Sequence, residues 1–155
     1  MPGFLERGIT RRRFLAVTGT VDAEGLIVTP GFIDVHTHSD ISLLHSPGAE
    51  HKLLQGITTE ILGNCGLGVA PLTPERRGEI QDYMAFLFGD NNTHPWPWES
   101  LADYLDHLEA AKPAVNALTL IAHGVVRLAT MGFDDGPAGP AQIAAMKDLV
   151  AKALE

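Results

Sequence analysis

Cysteine is nearly absent from this sequence: Cys65 is the one cysteine among 155 residues. A chain with one cysteine cannot form an internal disulfide, which favours a reducing, cytoplasmic location. Apolar runs are also short, and none approaches the ~18 residues that a membrane-spanning helix needs. The arginine-rich segment 10–16 is similar to a twin-arginine export signal, but the residues after it are too polar and too few to complete one.

Positive charge is scarce as well. The sequence has 11 lysines and arginines against 19 aspartates and glutamates, so its formal net charge is −8 at pH 7. This balance argues against nucleic acid or an anionic membrane surface as a partner. The rest of the composition is that of an ordinary globular protein, with 45% hydrophobic and 19% charged residues. The length predicts one domain that is large enough to bury a core.

The segment Gly31–Asp40, GFIDVHTHSD, predicts a buried apolar strand that ends in polar side chains. Residues two apart on a strand share a face, so we expect Asp34, His36 and His38 to lie together. Two imidazoles at a strand end are suitable ligands for zinc. The alternative is two ordinary histidines at the start of a loop. The apolar strand before them and Asp40 after them favour the metal site.

The remaining sequence alternates predicted strands and helices. Strands are predicted at 25–28, 57–62 and 115–122, and helices at 49–55, 75–88, from a Ser100 cap to Lys112, and from Pro140 onward. Residues 41–47 and 132–139 are predicted loops, and residues 1–24 have no clear pattern. This alternation is typical of βαβ units with right-handed crossovers, and therefore of an α/β fold with a parallel sheet.

Metal-binding residue types follow three of the predicted strands. His36 and His38 follow one, Cys65 lies in a glycine-rich turn after the next, and His123 follows the third. In parallel α/β folds, ligand sites gather at the carboxyl ends of the strands, so these residues are expected at one edge. A lone cysteine is often a small buried residue. Its place between glycines favours a thiolate ligand, which could bridge two metal ions.

Two further polar residues have open alternatives. His123 could be a metal ligand, a hydrogen-bond donor to a substrate, or a structural histidine. Asp40 could orient His38 behind the metal or be a turn residue. Arg127 could meet an anionic group, although a surface arginine is the simpler interpretation. The other histidines are expected to be solvated: His45, His51, His94 and His107.

The segment 25–38 resembles the first-strand signature of the metal-dependent amidohydrolase superfamily. The motifs Gln55–Glu60, Gly63–Gly66 and Ala122–Arg127 resemble its N-acyl-D-amino-acid deacylase branch, also called D-aminoacylases. The resemblance covers about residues 25–155. It implies the N-terminal part of a TIM-like (β/α) barrel, about its first three βα units. Residues 1–24 would be a short remnant of a small β domain.

The resemblance implies zinc-dependent hydrolysis of the amide bond of N-acyl-D-amino acids, which are small-molecule substrates. His36 and His38 would hold a second, weaker metal, and Cys65 would bridge both sites where many relatives use a carboxylated lysine. Further histidine ligands and an aspartate general base are implied beyond Glu155. The isolated chain is therefore expected to be inactive. Because a complete barrel takes ~250 residues, the open sheet edges predict a homo-oligomer or a missing C-terminal half.

Two other functions compete with this one. A cyclic-amide hydrolase of the same superfamily is the first, and the turn Asn64–Gly66 in place of a bridging lysine weighs against it. The second is a non-catalytic metal-binding or assembly module that needs a partner chain. Zinc binding combined with an activity assay would separate a catalytic centre from such a module.

Overall fold

The structure is a computed structural model that describes residues 23–88 and 95–154. Two units divide the chain, Met1–Gly31 and Phe32–Glu155, and each is described by itself. In the first unit, Gly25 takes a left-handed φ of +68° and Leu26 donates a backbone hydrogen bond to Ala23 at 2.9 Å. The described residues of this unit, 23–31, form no strand, so the strand predicted at 25–28 is wrong. The proposed β-domain remnant lies mostly outside the described residues.

The second unit contains a three-stranded parallel sheet with the order β1–β2–β3. The strands are β1 (Phe32–Asp34), β2 (Ile57–Leu62) and β3 (Asn116–Thr119). Asp34 of β1 pairs with Glu60 of β2, and the register between these two strands shifts between Phe32 and Ile33. The α/β class and the parallel strands are therefore confirmed. Both β1 and β3 are shorter than the sequence predicts.

Helices fill the connections between the strands and continue after β3. The bounds are α1 (Ser42–His45), α2 (Glu50–Leu53), α3 (Arg77–Phe88), α4 (Leu101–Ala111), α5 (His123–Met131) and α6 (Pro140–Ala153). Helix α1 occupies a predicted loop, and α5 was not predicted. Helix α4 begins at the predicted cap, where the Ser100 hydroxyl accepts a hydrogen bond from the backbone of Asp103 at 3.0 Å. None of the helices in the described ranges is long and apolar enough to cross a membrane.

The core lies between one face of the sheet and the helices. Its largest buried side chains include Trp96, Tyr104, Leu62, Ile80 and Met84. Trp98 joins them and donates its indole hydrogen to the backbone carbonyl of Val69 at 2.7 Å. The burial of this face holds the sheet against the helices.

The opposite face of the sheet is open. Four large apolar side chains there are at least half exposed, and we call them the open sheet face: Ile33, Val35, Leu118 and Leu120. The prediction that the first strand is buried is therefore wrong, because no described element packs over this side of the sheet. The sequence pattern predicted the apolar strand correctly, but it did not show whether another element packs over the strand.

Candidate metal centre

The two histidines predicted as ligands lie just beyond the end of β1. Between them, the Thr37 backbone N–H and hydroxyl both donate to the backbone carbonyl of Ile61, at 3.2 and 3.0 Å. Thr37 is buried, whereas His36 is exposed and His38 is half-buried. These hydrogen bonds hold the histidine segment alongside the end of β2. The next residues of the chain after β2 lead to Cys65.

Glycine places Cys65 at the same edge. Gly63 follows β2 with a left-handed φ of +73°, and a Cβ there would lie 2.4 Å from the backbone oxygen of Leu120. Only glycine allows the chain to approach β3 so closely in this conformation. A turn of 3₁₀ helix, Asn64–Gly66, follows, and inside it Cys65 itself has a φ of +58°. The predicted glycine-rich turn therefore serves to bring backbone segments together.

A second close approach joins this turn to α5. A Cβ on Gly124 would lie 2.4 Å from the backbone oxygen of Gly66 and 2.8 Å from the hydroxyl of Tyr83. The start of α5 is therefore held against the residue that follows Cys65. Gly66 and Gly124, one on each side of this contact, allow the turn to lie directly against the start of α5.

His36, His38 and Cys65 form a cluster at this edge. One ligand atom from each lies within 4.8 Å of the other two. His36 Nε2 is 3.0 Å from Cys65 Sγ, and the two imidazole centroids are 5.6 Å apart. His38 Nδ1 is buried and has no hydrogen-bond partner within the described chain. A sulfur and two imidazole nitrogens at this spacing are a donor set that fits zinc.

Asp40 supports the turn that carries Cys65. Its carboxylate accepts a hydrogen bond from the Gly63 backbone at 3.2 Å, and its backbone oxygen accepts one from the Tyr104 hydroxyl at 2.8 Å. Burial, with a smaller contribution from the charge of Glu60, raises the pKa of Asp40 to about 6. Its second oxygen, Oδ2, has no hydrogen-bond partner in the described ranges. Asp40 therefore hydrogen-bonds to the Gly63 turn, and the described residues show no hydrogen bond between Asp40 and His38.

His123 does not join the cluster. The sequence places it at a strand end, but β3 ends at Thr119 and His123 is the exposed first residue of α5. Its role as a ligand or substrate contact stays a prediction. Arg127 holds the loop after α5, because it donates to the backbone oxygens of Asp134 and Gly136 at 2.8 and 2.7 Å.

The remaining histidines partly match expectation. Three of them are exposed, as predicted: His45, His51 and His107. His94 lies outside the described residues.

A charged group near the cluster was not predicted from the sequence. Lys52 Nζ lies 2.8 Å from Asp34 Oδ2 and 3.4 Å from Glu60 Oε2. The Glu60 side chain is wholly buried. The hydrogen bond from Lys52 lowers the pKa of Asp34. Burial alone would lower the pKa of Lys52, but its two acidic partners raise it overall. A glutamate within the predicted strand β2 was the available signal, because a buried glutamate needs a cation beside it.

The profile of an amidohydrolase family matches residues 19–155. The chain belongs to the amidohydrolase family. The D-aminoacylase of Alcaligenes xylosoxydans xylosoxydans is 40% identical over 134 residues, which cover 86% of this chain and 26% of that protein. The chain therefore spans about a quarter of this relative's length.

Solved structures of two family members are also similar. One is a D-aminoacylase studied for its binuclear metal centre, with a TM-score of 0.64 and 36% identity over 81% of this chain and 25% of that one. The other is the N-acyl-D-glutamate deacylase of Bordetella bronchiseptica in complex with zinc and a phosphonate inhibitor. It has a TM-score of 0.68 and 33% identity, over 86% of this chain and 27% of that one. The likeness of fold and sequence thus extends over most of this chain.

Proposed function

We propose that this chain is part of a zinc-dependent hydrolase that cleaves the amide bond of N-acyl-D-amino acids. One observation carries the proposal. The chain belongs to the amidohydrolase family, and His36, His38 and Cys65 place three ligand atoms within 4.8 Å of one another at the carboxyl edge of its parallel sheet. The similar proteins are named D-aminoacylase and N-acyl-D-glutamate deacylase. In this proposal the chain supplies about the first three βα units of a TIM-like barrel.

His36, His38 and Cys65 would hold the zinc. A zinc ion held by these three residues would polarise the carbonyl of the scissile amide and lower the pKa of a bound water to ~7. Cys65 would bind as the thiolate and each histidine as the neutral imidazole, so binding releases protons. His36 and Cys65 are exposed to solvent, so a substrate could reach a metal held between them. None of the three can also serve as a general base while it holds metal, so we expect a carboxylate from elsewhere in the enzyme to take the proton.

The first prediction concerns metal binding without turnover. We expect the 155-residue chain to bind zinc stoichiometrically and to show no hydrolysis of N-acetyl-D-amino acids. Isothermal titration calorimetry measures the binding, and Cys65→Ala is expected to weaken it at least tenfold by removing the sulfur ligand. His51→Ala, which changes an exposed histidine away from the cluster, is the control. Equal zinc affinity in the wild type and Cys65→Ala would contradict the proposed centre.

Activity is tested by grafting. Residues 25–155 would replace the matching quarter of the Alcaligenes D-aminoacylase, and circular dichroism would establish that the hybrid is folded. The hybrid is expected to hydrolyse N-acetyl-D-amino acids in preference to their L-enantiomers, and Cys65→Ala in the hybrid should abolish this activity. Dihydroorotate and hydantoin in the same panel test the cyclic-amide alternative. A folded, zinc-loaded hybrid without any turnover would favour a non-catalytic metal-binding module instead.

A further inference from the structure

A continuous line of contacts leads from a buried charge to a candidate metal ligand. Glu60 Oε2 lies 3.4 Å from Lys52 Nζ, which lies 2.8 Å from Asp34 Oδ2. The other carboxylate oxygen, Asp34 Oδ1, accepts a hydrogen bond from the backbone N–H of His36 at 3.4 Å. Three elements are joined in this way: β1, β2 and α2.

Lys52 is the cation on which this arrangement depends. Neither carboxylate oxygen of Glu60 has a hydrogen bond among the described residues, so its charge is balanced by the ion pair with Lys52. The Lys52 side chain is 15% exposed and thus poorly placed to exchange its partners for water. A buried charge without its counterion is costly, which keeps Lys52 in place between the two acids.

We propose that Lys52 is a positioning residue for the metal centre: by binding the Asp34 carboxylate, it fixes the backbone segment that presents His36. The inference rests on the proposed zinc centre. Lys52 does not touch the cluster itself and acts through Asp34. Partners behind a metal ligand commonly change metal affinity 10- to 100-fold when they are removed.

A purely electrostatic effect of Lys52 must be separated from this positioning. Removing the cation alone leaves the acids unbalanced, which destabilises the fold and also makes the surroundings of a bound cation more negative. The double variant Lys52→Met/Glu60→Gln removes one charge of each sign, so the net charge of the group stays the same. The single variant Glu60→Gln leaves the bond between Lys52 and Asp34 intact. These two variants therefore isolate that bond.

The experiment measures metal affinity and fold stability separately. Calorimetry with Zn²⁺ gives the affinity, absorption of the Co²⁺ complex reports sulfur and nitrogen ligation, and denaturation with a chelator present gives the stability of the metal-free fold. We expect Glu60→Gln to bind zinc like the wild type, and Lys52→Met/Glu60→Gln to bind about tenfold more weakly with an altered Co²⁺ spectrum. Asp34→Ala should cause a smaller loss in the double variant than in the wild type, because the contact between Lys52 and Asp34 is already gone.

Controls separate positioning from general destabilisation. Ser100→Ala weakens the cap of α4, which contributes no residue to the cluster, and Lys147→Met removes an exposed lysine, so both should retain wild-type affinity and the wild-type Co²⁺ spectrum. Wild-type affinity in Lys52→Met/Glu60→Gln, or an equal loss in Ser100→Ala, would overturn the role of Lys52 while the zinc centre stands. Absence of the cobalt–sulfur band from the wild type itself would overturn both the centre and this inference.

Discussion

At the scale of single residues, Cys65 has a backbone conformation that its side chain disfavours. Its φ of +58° and ψ of 19° lie in the left-handed region, which costs a residue with a Cβ roughly 1–2 kcal/mol. Cys65 is also exposed, so burial of its side chain does not offset this cost. Strained positions of this kind are concentrated at functional sites. The strain is accounted for if the sulfur is needed where this conformation places it.

This strain leads to a prediction for two variants that both lose the sulfur ligand but differ in the stability of the metal-free fold. Cys65→Gly should make the metal-free fold about 1 kcal/mol more stable than Cys65→Ala, because glycine adopts a positive φ without penalty whereas alanine keeps it. Both variants should lose zinc affinity. Chemical denaturation in the presence of a chelator and zinc calorimetry measure the two properties. Equal stability of the glycine and alanine variants would show that the backbone at residue 65 is not strained.

The residues of the candidate site differ in how far the sequence reveals them. His36, His38 and Cys65 were found because residue type, strand ends and glycine all act locally along the chain. Lys52 and Glu60 were missed because their pairing depends on how α2 packs against β2, which no local pattern records. The same limit applies to the open sheet face, since an apolar strand has the same sequence whether or not another layer covers it.

At the scale of secondary-structure elements, α4 depends on a reciprocal pair of hydrogen bonds at its start. The Ser100 hydroxyl accepts from the Asp103 backbone, and the Asp103 carboxylate accepts from the Ser100 backbone, both at 3.0 Å. We expect Ser100→Ala to lower the free energy of unfolding by about 1 kcal/mol. Urea denaturation measures this loss. Ser46→Ala, an exposed serine at the end of α1, is the control and should change stability little.

The same cap predicts a dependence on pH. The hydrogen bond from the Ser100 backbone, with those from the Ser100 side chain and the Glu99 backbone, lowers the pKa of Asp103 below its ordinary 3.8. The contribution of Asp103 is therefore present above that value and is lost as the pH falls through its lowered pKa in the folded state. Asp103→Asn should remove this part of the acid sensitivity. An unchanged pH profile in the asparagine variant would contradict it.

The contact between α5 and the turn that carries Cys65 provides an element-scale test. Gly124→Ala should destabilise the fold by about 1–3 kcal/mol, because its Cβ would collide with the backbone of Gly66 and the Tyr83 hydroxyl. Any shift that relieves the collision moves the Cys65 turn, so zinc affinity should also fall. Gly78→Ala, in α3 with open space around it, is the matched control and should be neutral or stabilising. Thermal denaturation and zinc calorimetry measure both effects.

The prediction of secondary structure was wrong where local residue preferences and long-range strand pairing favour different assignments. Helix α5 was not predicted because the apolar residues 120–122 extend the strand pattern up to its first residue, and only the sheet pairing shows that β3 ends at Thr119. The strand expected at 25–28 has suitable residues but forms no pairing in the described residues of its unit. Strand formation requires a partner, so residue propensity alone is not sufficient.

At the scale of the whole molecule, the open sheet face is the dominant unsatisfied feature. Its four residues are 50–63% exposed, on one side of a sheet whose other side is well packed. Contiguous exposed apolar surface of this kind marks a site of association. This chain spans about a quarter of the length of the relatives that it matches. The proposed barrel interior would therefore face outward in the isolated chain.

Self-association of the isolated chain is the prediction at this scale. Sedimentation velocity should show concentration-dependent association of the wild type. Leu118→Thr/Leu120→Thr should weaken it about tenfold or more, because burial of two half-exposed leucines contributes roughly 2 kcal/mol. Phe86→Gln is the matched control, because Phe86 is 71% exposed but lies on α3, away from the sheet, and its loss should change association little. A monodisperse wild-type monomer, or equal effects of the double variant and the control, would show that the open sheet face does not drive association.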